Sequence, residues 1–161
     1  MPAIDFGVIF ESLPGQYLIL TPGFTIIAVS DSYLEATMTE RPLLLGRNFI
    51  DVAPYYPVDK TISVAAGLAD SLNTVLKSGQ PHKMHARKYA VGKPGGLMVE
   101  RYWAVLNTAV FDQQHKVAYI IHSLLDERSG KPEDITERKK SQSPPETLSR
   151  QVDQAIDAIF S

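Results

Sequence analysis

The chain contains no cysteine among its 161 residues. Disulfides, thiolate metal sites and thiol nucleophiles are therefore excluded, and a reducing compartment is consistent with this composition. Charge of one sign is lacking as well: 16 Lys and Arg stand against 18 Asp and Glu, a formal net charge of −2. That balance gives no electrostatic footprint for nucleic acid. No apolar run approaches the ~18 residues that span a bilayer. The start, Met1-Pro-Ala-Ile-Asp-Phe6, has no basic stretch followed by an apolar one, so no signal peptide and a cytoplasmic location are expected. No Gly-x-Ser-x-Gly elbow holds a serine, and Gly92-Lys-Pro-Gly-Gly96 lacks the spacing of a phosphate loop. The glycine motifs of kinase ATP sites are missing too. His115 and His122 fall in a strand hairpin, where a phosphoacceptor is not expected. The chain itself is expected not to be an enzyme.

What is present is an ordinary globular composition, 44% hydrophobic and 21% charged, with room for one domain and a short appendage. Apolar residues over 4–11 suggest a short helix, stopped by Leu13-Pro14-Gly15. Two strands follow at 16–21 and 25–29, joined through Pro22-Gly23. Ser30 or Asp31 can cap a helix through Met38, Pro42 suits a first helical turn, and Asn48–Val52 reads as one more turn. Ala53-Pro-Tyr-Tyr-Pro57 reads as a rigid loop. The strongest helical signal covers 60–78, where Ile62, Ala65, Leu68, Ala69, Leu72, Val75 and Leu76 keep i, i+3, i+4 spacing between Asp59 as cap and Gly79 as stop. Three strands close the pattern at about 82–91, 97–110 and 116–125. Clustered strands around a clustered helical section predict an α+β domain, an antiparallel sheet covered on one face.

This domain is expected to fill residues 1–128. Residues 129–147 are rich in Pro, Ser and Lys and read as a polar linker. Over 148–161, Leu148, Val152, Ala155 or Ile156, and Ile159 mark the start of an amphipathic connector helix that stops in mid-pattern, as in a piece of a longer protein.

Polar residues inside the last two strands stand out: Arg101, Asn107, His122 and Ser123. An unpaired buried polar group costs roughly 1–3 kcal/mol, so an aliphatic core would not select them. Period-two alternation sets Arg101, Trp103, Val105 and Asn107 on one face, and Ala118, Ile120, His122 and Leu124 on one face of the next strand. Trp103 and His122 are expected on the same, helix-facing side. His82 and His85 are three apart on a strand and so point to opposite faces, which argues against a shared metal and for solvated edge positions. Lys83, Arg87 and Lys88 read as a solvated basic face.

The ordered set of segments resembles the PAS sensor family. Phe10-Glu-Ser-Leu-Pro-Gly15 is similar to its lead-in helix and stop, and Ile26-Ile-Ala-Val-Ser-Asp-Ser-Tyr33 to its second strand running into the first core helix. Leu44-Leu-Gly-Arg47, Ser71-Leu-Asn-Thr-Val-Leu-Lys-Ser-Gly-Gln-Pro81, Arg101-Tyr-Trp103 and the hairpin ending at Asp126 continue the likeness over residues 5–128. Two features depart from the family. The hairpin turn has His115 or Lys116 where a Gly is usual. Asp134-Ile-Thr-Glu-Arg-Lys139 comes a few residues after the last strand rather than at once.

The resemblance implies a five-stranded sheet in spatial order 2-1-5-4-3, helices over one face, and a cavity between them. It implies a sensory domain of a bacterial signal-transduction protein, a two-component histidine kinase in the first instance, that acts on a C-terminal effector. By analogy with PAS photosensors, Trp103, Val105, Asn107, Ile120, His122 and Leu124 face the cavity, with Tyr33 on the helix opposite. Two readings stay open for these residues. One is a small-molecule pocket with Trp103 as wall and Asn107 and His122 as polar anchors. The other is a filled core in which Asn107 and His122 bond neighbouring backbone, in a module used only for dimerisation or scaffold contacts. A third, a cone-shaped enzyme with His122 as base, has no paired acid to support it.

No cofactor is singled out. Residues 60–78 carry no histidine for haem, and the missing cysteine excludes covalent flavin photochemistry while leaving non-covalent flavin open. A homodimer is expected through Phe6, Ile9 and Phe10 of the first helix and an outer sheet face of Tyr102, Leu106, Tyr119 and Ile121, aided by residues 148–160.

Overall fold

The computed structural model describes residues 3–92 and 96–127. The expectations for the linker and the connector helix fall outside that range. Local sequence explains where most elements begin. Asp5 accepts a hydrogen bond from the Val8 amide and starts α1 (Phe6–Glu11). Strands β1 (Gln16–Leu20) and β2 (Ile26–Val29) lead to Ser30, whose side chain caps α2 (Asp31–Thr37) through the Tyr33 amide. Two one-turn helices follow, α3 (Arg41–Leu44) with proline in its first turn, and α4 (Phe49–Val52), capped by Asn48. Then come β3 (Tyr56–Pro57), α5 (Val64–Ser78), β4 (His82–Gly92), β5 (Met98–Phe111) and β6 (Val117–Asp126).

The long helix starts later than its apolar pattern suggests. Ser63, not Asp59, is its cap, bonding the Ala66 amide at 3.1 Å. Asp59 is held instead in its own turn, accepting from the Thr61 amide at 3.0 Å and the Thr61 hydroxyl at 2.7 Å. These two bonds hold its carboxyl below the usual carboxylate range. A side chain that satisfies its own loop is not free to open the helix behind it. At the other end Gly79 takes the left-handed conformation, φ 70°, and stops the helix as expected.

The sheet is antiparallel and has six strands, in order β2-β1-β6-β5-β4-β3, rather than five. Without β3, that order is the expected one. The extra strand is the segment read as a rigid loop, where Tyr56 pairs with Ala90 and Pro57 with Tyr89. Two residues carry no alternation to read, and Pro57, which has no amide hydrogen, is confined to a sheet edge.

Register then sets the faces. Leu18 lies opposite His122, and Leu20 opposite Ile120. Asn107 also lies opposite His122, and Val105 opposite Leu124. These side chains form one core with Tyr33 of α2, Leu44 of α3, Phe49 of α4, and Leu68, Leu72 and Val75 of α5. The helices α2 to α5 therefore cover one face. Burying each large aliphatic side chain of this core contributes about 1.5–3 kcal/mol. Helix α1 buries only Phe10, which packs against Tyr17 at 6.4 Å between ring centroids. Tyr17 alternates with the inward Leu18, so Phe10 serves the other side of β1. Phe6, Val8 and Ile9 stay exposed.

Candidate functional site

His122 is the centre of a polar chain inside this core. It is fully buried, and the strand register sets it directly across from Asn107. Its Nδ1 donates to Asn107 Oδ1 at 2.8 Å. With the Asn107 oxygen so used, its Nδ2 donates to Ser71 Oγ of α5 at 2.8 Å. The Ser71 hydroxyl, in turn, shares a hydrogen bond of 2.7 Å with His82 Nδ1 at the start of β4. On the other side, the Tyr55 hydroxyl donates to His122 Nε2 at 3.3 Å. Three hydrogen bonds thus run in one direction, from Tyr55 through His122 and Asn107 to Ser71, and a fourth joins Ser71 to His82. The bond to Asn107 Oδ1 makes Nδ1 the protonated nitrogen of the neutral His122 ring and leaves Nε2 as acceptor.

The site is neutral. Burial pushes His122 down to about 3, so the ring is uncharged at physiological pH. Burial also pushes the Tyr33 and Tyr55 hydroxyls well above the usual tyrosine range. Both tyrosines adjoin the His122 ring, Tyr55 by its hydroxyl and Tyr33 by its ring. Aromatic rings enclose it. Phe49 meets the His122 ring edge-to-face at 4.6 Å, and Tyr33 does so at 6.3 Å. Tyr55 packs in the same manner on Tyr89 at 5.1 Å and on Trp103 at 5.8 Å. At the sheet end the Trp103 indole donates to Asp126 Oδ1 at 2.8 Å, and Gln16 donates to Oδ2 of the same carboxylate at 2.9 Å.

Four buried side-chain atoms among the described residues lack a hydrogen-bond partner, on Gln16, Tyr33, Thr39 and Arg41, and Tyr33 belongs to this core. The Tyr33 hydroxyl has no hydrogen-bond partner among the described residues, although its residue is fully buried. Such a group costs roughly 1–3 kcal/mol until something accepts from it.

All seven residues expected to face the interior, Tyr33, Trp103, Val105, Asn107, Ile120, His122 and Leu124, are buried in this one core. Trp103 and His122 lie on the same helix-covered side. Asn107 and His122 bond each other and other side chains, not the backbone that a filled core would offer them. The other two polar strand residues lie elsewhere. Arg101 is half-buried and donates to the Ala36 carbonyl at the end of α2, 3.4 Å away. Ser123 is paired with Tyr17 and so faces the opposite side. His82 is not a solvated edge histidine: it is half-buried and bound to Ser71. His85, Lys83, Arg87 and Lys88 are exposed, and Lys83 reaches Glu127 at 3.6 Å. Among the described residues no group of three His, Asp or Glu side chains is placed to hold a metal ion.

Sequence reasoning missed Phe49, Tyr55 and Ser71. Ser71 was legible, since it occupies a core position of the stripe formed by Leu68, Leu72 and Val75. Tyr55 carried no signal, because it sits in irregular chain just before β3.

No family model matches the sequence, and no curated protein does. Solved structures do match. The PAS domain of Bordetella pertussis BvgS superposes with a TM-score of 0.57 at 17% identity, covering 84% of this chain and 94% of that one. A sensory box sensor histidine kinase from Vibrio cholerae gives 0.51 at 13% identity, covering 74% and 86%. VqmA bound to DPO gives 0.55 at 20% identity, covering 76% of this chain and 56% of that one. Identities this low establish shape and leave the chemistry to the residues.

Proposed function

We propose that this chain, which has the PAS fold, is a sensory or regulatory domain. It takes up a small molecule between its helices and its sheet and passes the change to an effector through its terminal segments. The observation that carries this reading is the buried polar chain centred on His122, set in aromatic walls and accompanied by an unpartnered tyrosine hydroxyl. A module serving only scaffold contacts gains nothing from such a chain, since an apolar core of equal volume avoids its desolvation cost.

Similar structures agree in kind: one is a sensor histidine kinase and one is VqmA bound to DPO. On this reading the parent is a bacterial signalling protein, a histidine kinase in the first instance, working in the cytoplasm. Among the described residues no helix is long and apolar enough to cross a membrane. The domain has no catalytic role of its own.

A homodimer belongs to the same reading. Phe6, Val8 and Ile9 of α1, with Phe111 and Tyr119 of the hairpin, are exposed apolar groups that a second copy can cover. VqmA of Vibrio cholerae is described as a dimer.

Thermal melting with small molecules extracted from bacterial cells tests the reading. A ligand at ~100 times its Kd stabilises by about 2.7 kcal/mol, which raises the Tm of a domain this size by several degrees. An extract fraction that raises the Tm of the wild type and not of Tyr55→Phe is expected. No rise with any fraction would speak for the scaffold reading.

A further inference from the structure

The Tyr33 side chain is held by a backbone whose own needs are met. Its amide bonds the Ser30 side chain, and its carbonyl accepts from the Thr37 hydroxyl at 2.7 Å. The phenol hydroxyl alone is unmet in a fully buried residue, whose ring meets that of His122 at 6.3 Å. The polar chain beside it has one loose link. Tyr55 to His122 spans 3.3 Å, while the other three bonds measure 2.7 or 2.8 Å. The slack lies at Tyr55, which like Tyr33 adjoins the His122 ring.

Charge is absent from this end of the core. Tyr33, Tyr55, His122, Asn107 and Ser71 are all neutral there, and the charged groups at its margin are engaged. Arg101 bonds the Ala36 carbonyl, and Asp126 bonds Trp103 and Gln16. An ionised guest would find no counter-charge and would lose its hydration. Phe49, Tyr33 and Tyr55 present ring faces and edges, which suit a flat guest.

Resting on the reading of this core as a ligand site, we propose that its occupant is a compact, uncharged, planar molecule with a hydrogen-bond acceptor, a carbonyl oxygen or a ring nitrogen, received by the Tyr33 hydroxyl. Tyr55 is the second donor. When it turns to the same acceptor, His122 Nε2 is released, and the far end of the chain, at Ser71 on α5 and His82 on β4, registers the event.

An NMR titration with three probes of similar size tests this: 2-pyridone, neutral with a carbonyl acceptor; benzoate, an anion; and toluene, apolar. Saturable shifts of the Tyr33, Tyr55 and His122 side chains with 2-pyridone alone are expected. Tyr33→Phe should weaken that binding at least ~tenfold, with the amide spectrum kept and the Tm of the unliganded chain no lower than that of the wild type. The Tyr33 ¹³Cζ resonance of the wild-type chain reports the same bond without any substitution. Benzoate or toluene saturating the core as readily as 2-pyridone would overturn the ligand class while leaving a ligand site in place. Equal affinity of wild type and Tyr33→Phe, or an unmoved Tyr33 resonance, would overturn the role of Tyr33. No shift from any probe would count against both this ligand class and the site itself.

Discussion

Asn107 and His122 face each other across the two central strands and share a fully buried hydrogen bond of 2.8 Å. The pair joins the helical layer to the sheet, because the free amide of Asn107 reaches Ser71 on α5. Replacing Asn107 with Leu keeps the branched shape, leaves the His122 Nδ1 hydrogen without its acceptor and takes from Ser71 Oγ one of its two partners. A loss of about 2–3 kcal/mol is expected from urea unfolding. A loss within ~0.5 kcal/mol would mean that the pair is structurally idle.

Acid should weaken the fold through His122. Its folded value is about 3, below the ordinary histidine value of about 6.5. The folded state therefore disfavours the charged ring, and the unfolded chain binds the extra proton. The stability linked to this group is complete above the unfolded value. It falls by about 1.4 kcal/mol per pH unit between there and the folded value. Urea unfolding from pH 7.5 to 4.5 should show that decline, and His122→Gln should flatten it. Parallel profiles for the two proteins would contradict the burial of a neutral ring.

The hairpin turn carries a local cost. Asp112 Oδ1 accepts from the Gln114 and Lys116 amides and fixes the turn, which forces His115 to φ 61°. That conformation costs a side-chain-bearing residue about 1 kcal/mol and a glycine almost nothing. His115→Gly should raise the Tm by a few degrees. An unchanged or lower Tm would show that the histidine side chain is held by something that offsets the strain.

Self-association should depend on the exposed face of α1. Ile9→Glu sets a charge among Phe6, Val8 and Ile9 without touching the buried Phe10. Light scattering at tens of micromolar is expected to show a dimer for the wild type and a monomer for the variant. A wild-type monomer, or a variant that dimerises equally, would remove α1 from the interface.

Much of this fold was legible in the sequence, for identifiable reasons. The strands β4, β5 and β6 begin and end within a residue or two of the apolar pattern, because long half-buried strands alternate strongly. Their register followed from a hairpin joined by a short polar turn. The inward set from Trp103 to Leu124 followed from alternation together with the family likeness. What escaped depends on tertiary placement. Asp59 and Ser63 are both good caps, and only the turn at Thr61 decides between them. Tyr55 enters the core from chain with no period, so no pattern could bring it to His122. His82 stands at the first residue of a strand, where exposure and burial look alike until α5 is packed beside it.

Native mass spectrometry of the chain, purified quickly and re-exposed to bacterial small-molecule extract, bears most directly on the claim that the core around His122 receives a small molecule. A stoichiometric non-covalent adduct of small-molecule mass is predicted, absent after denaturation and lost in the Tyr55→Phe and Tyr33→Phe chains. A bare polypeptide mass under every extract, or an adduct that both substitutions leave intact, would contradict it.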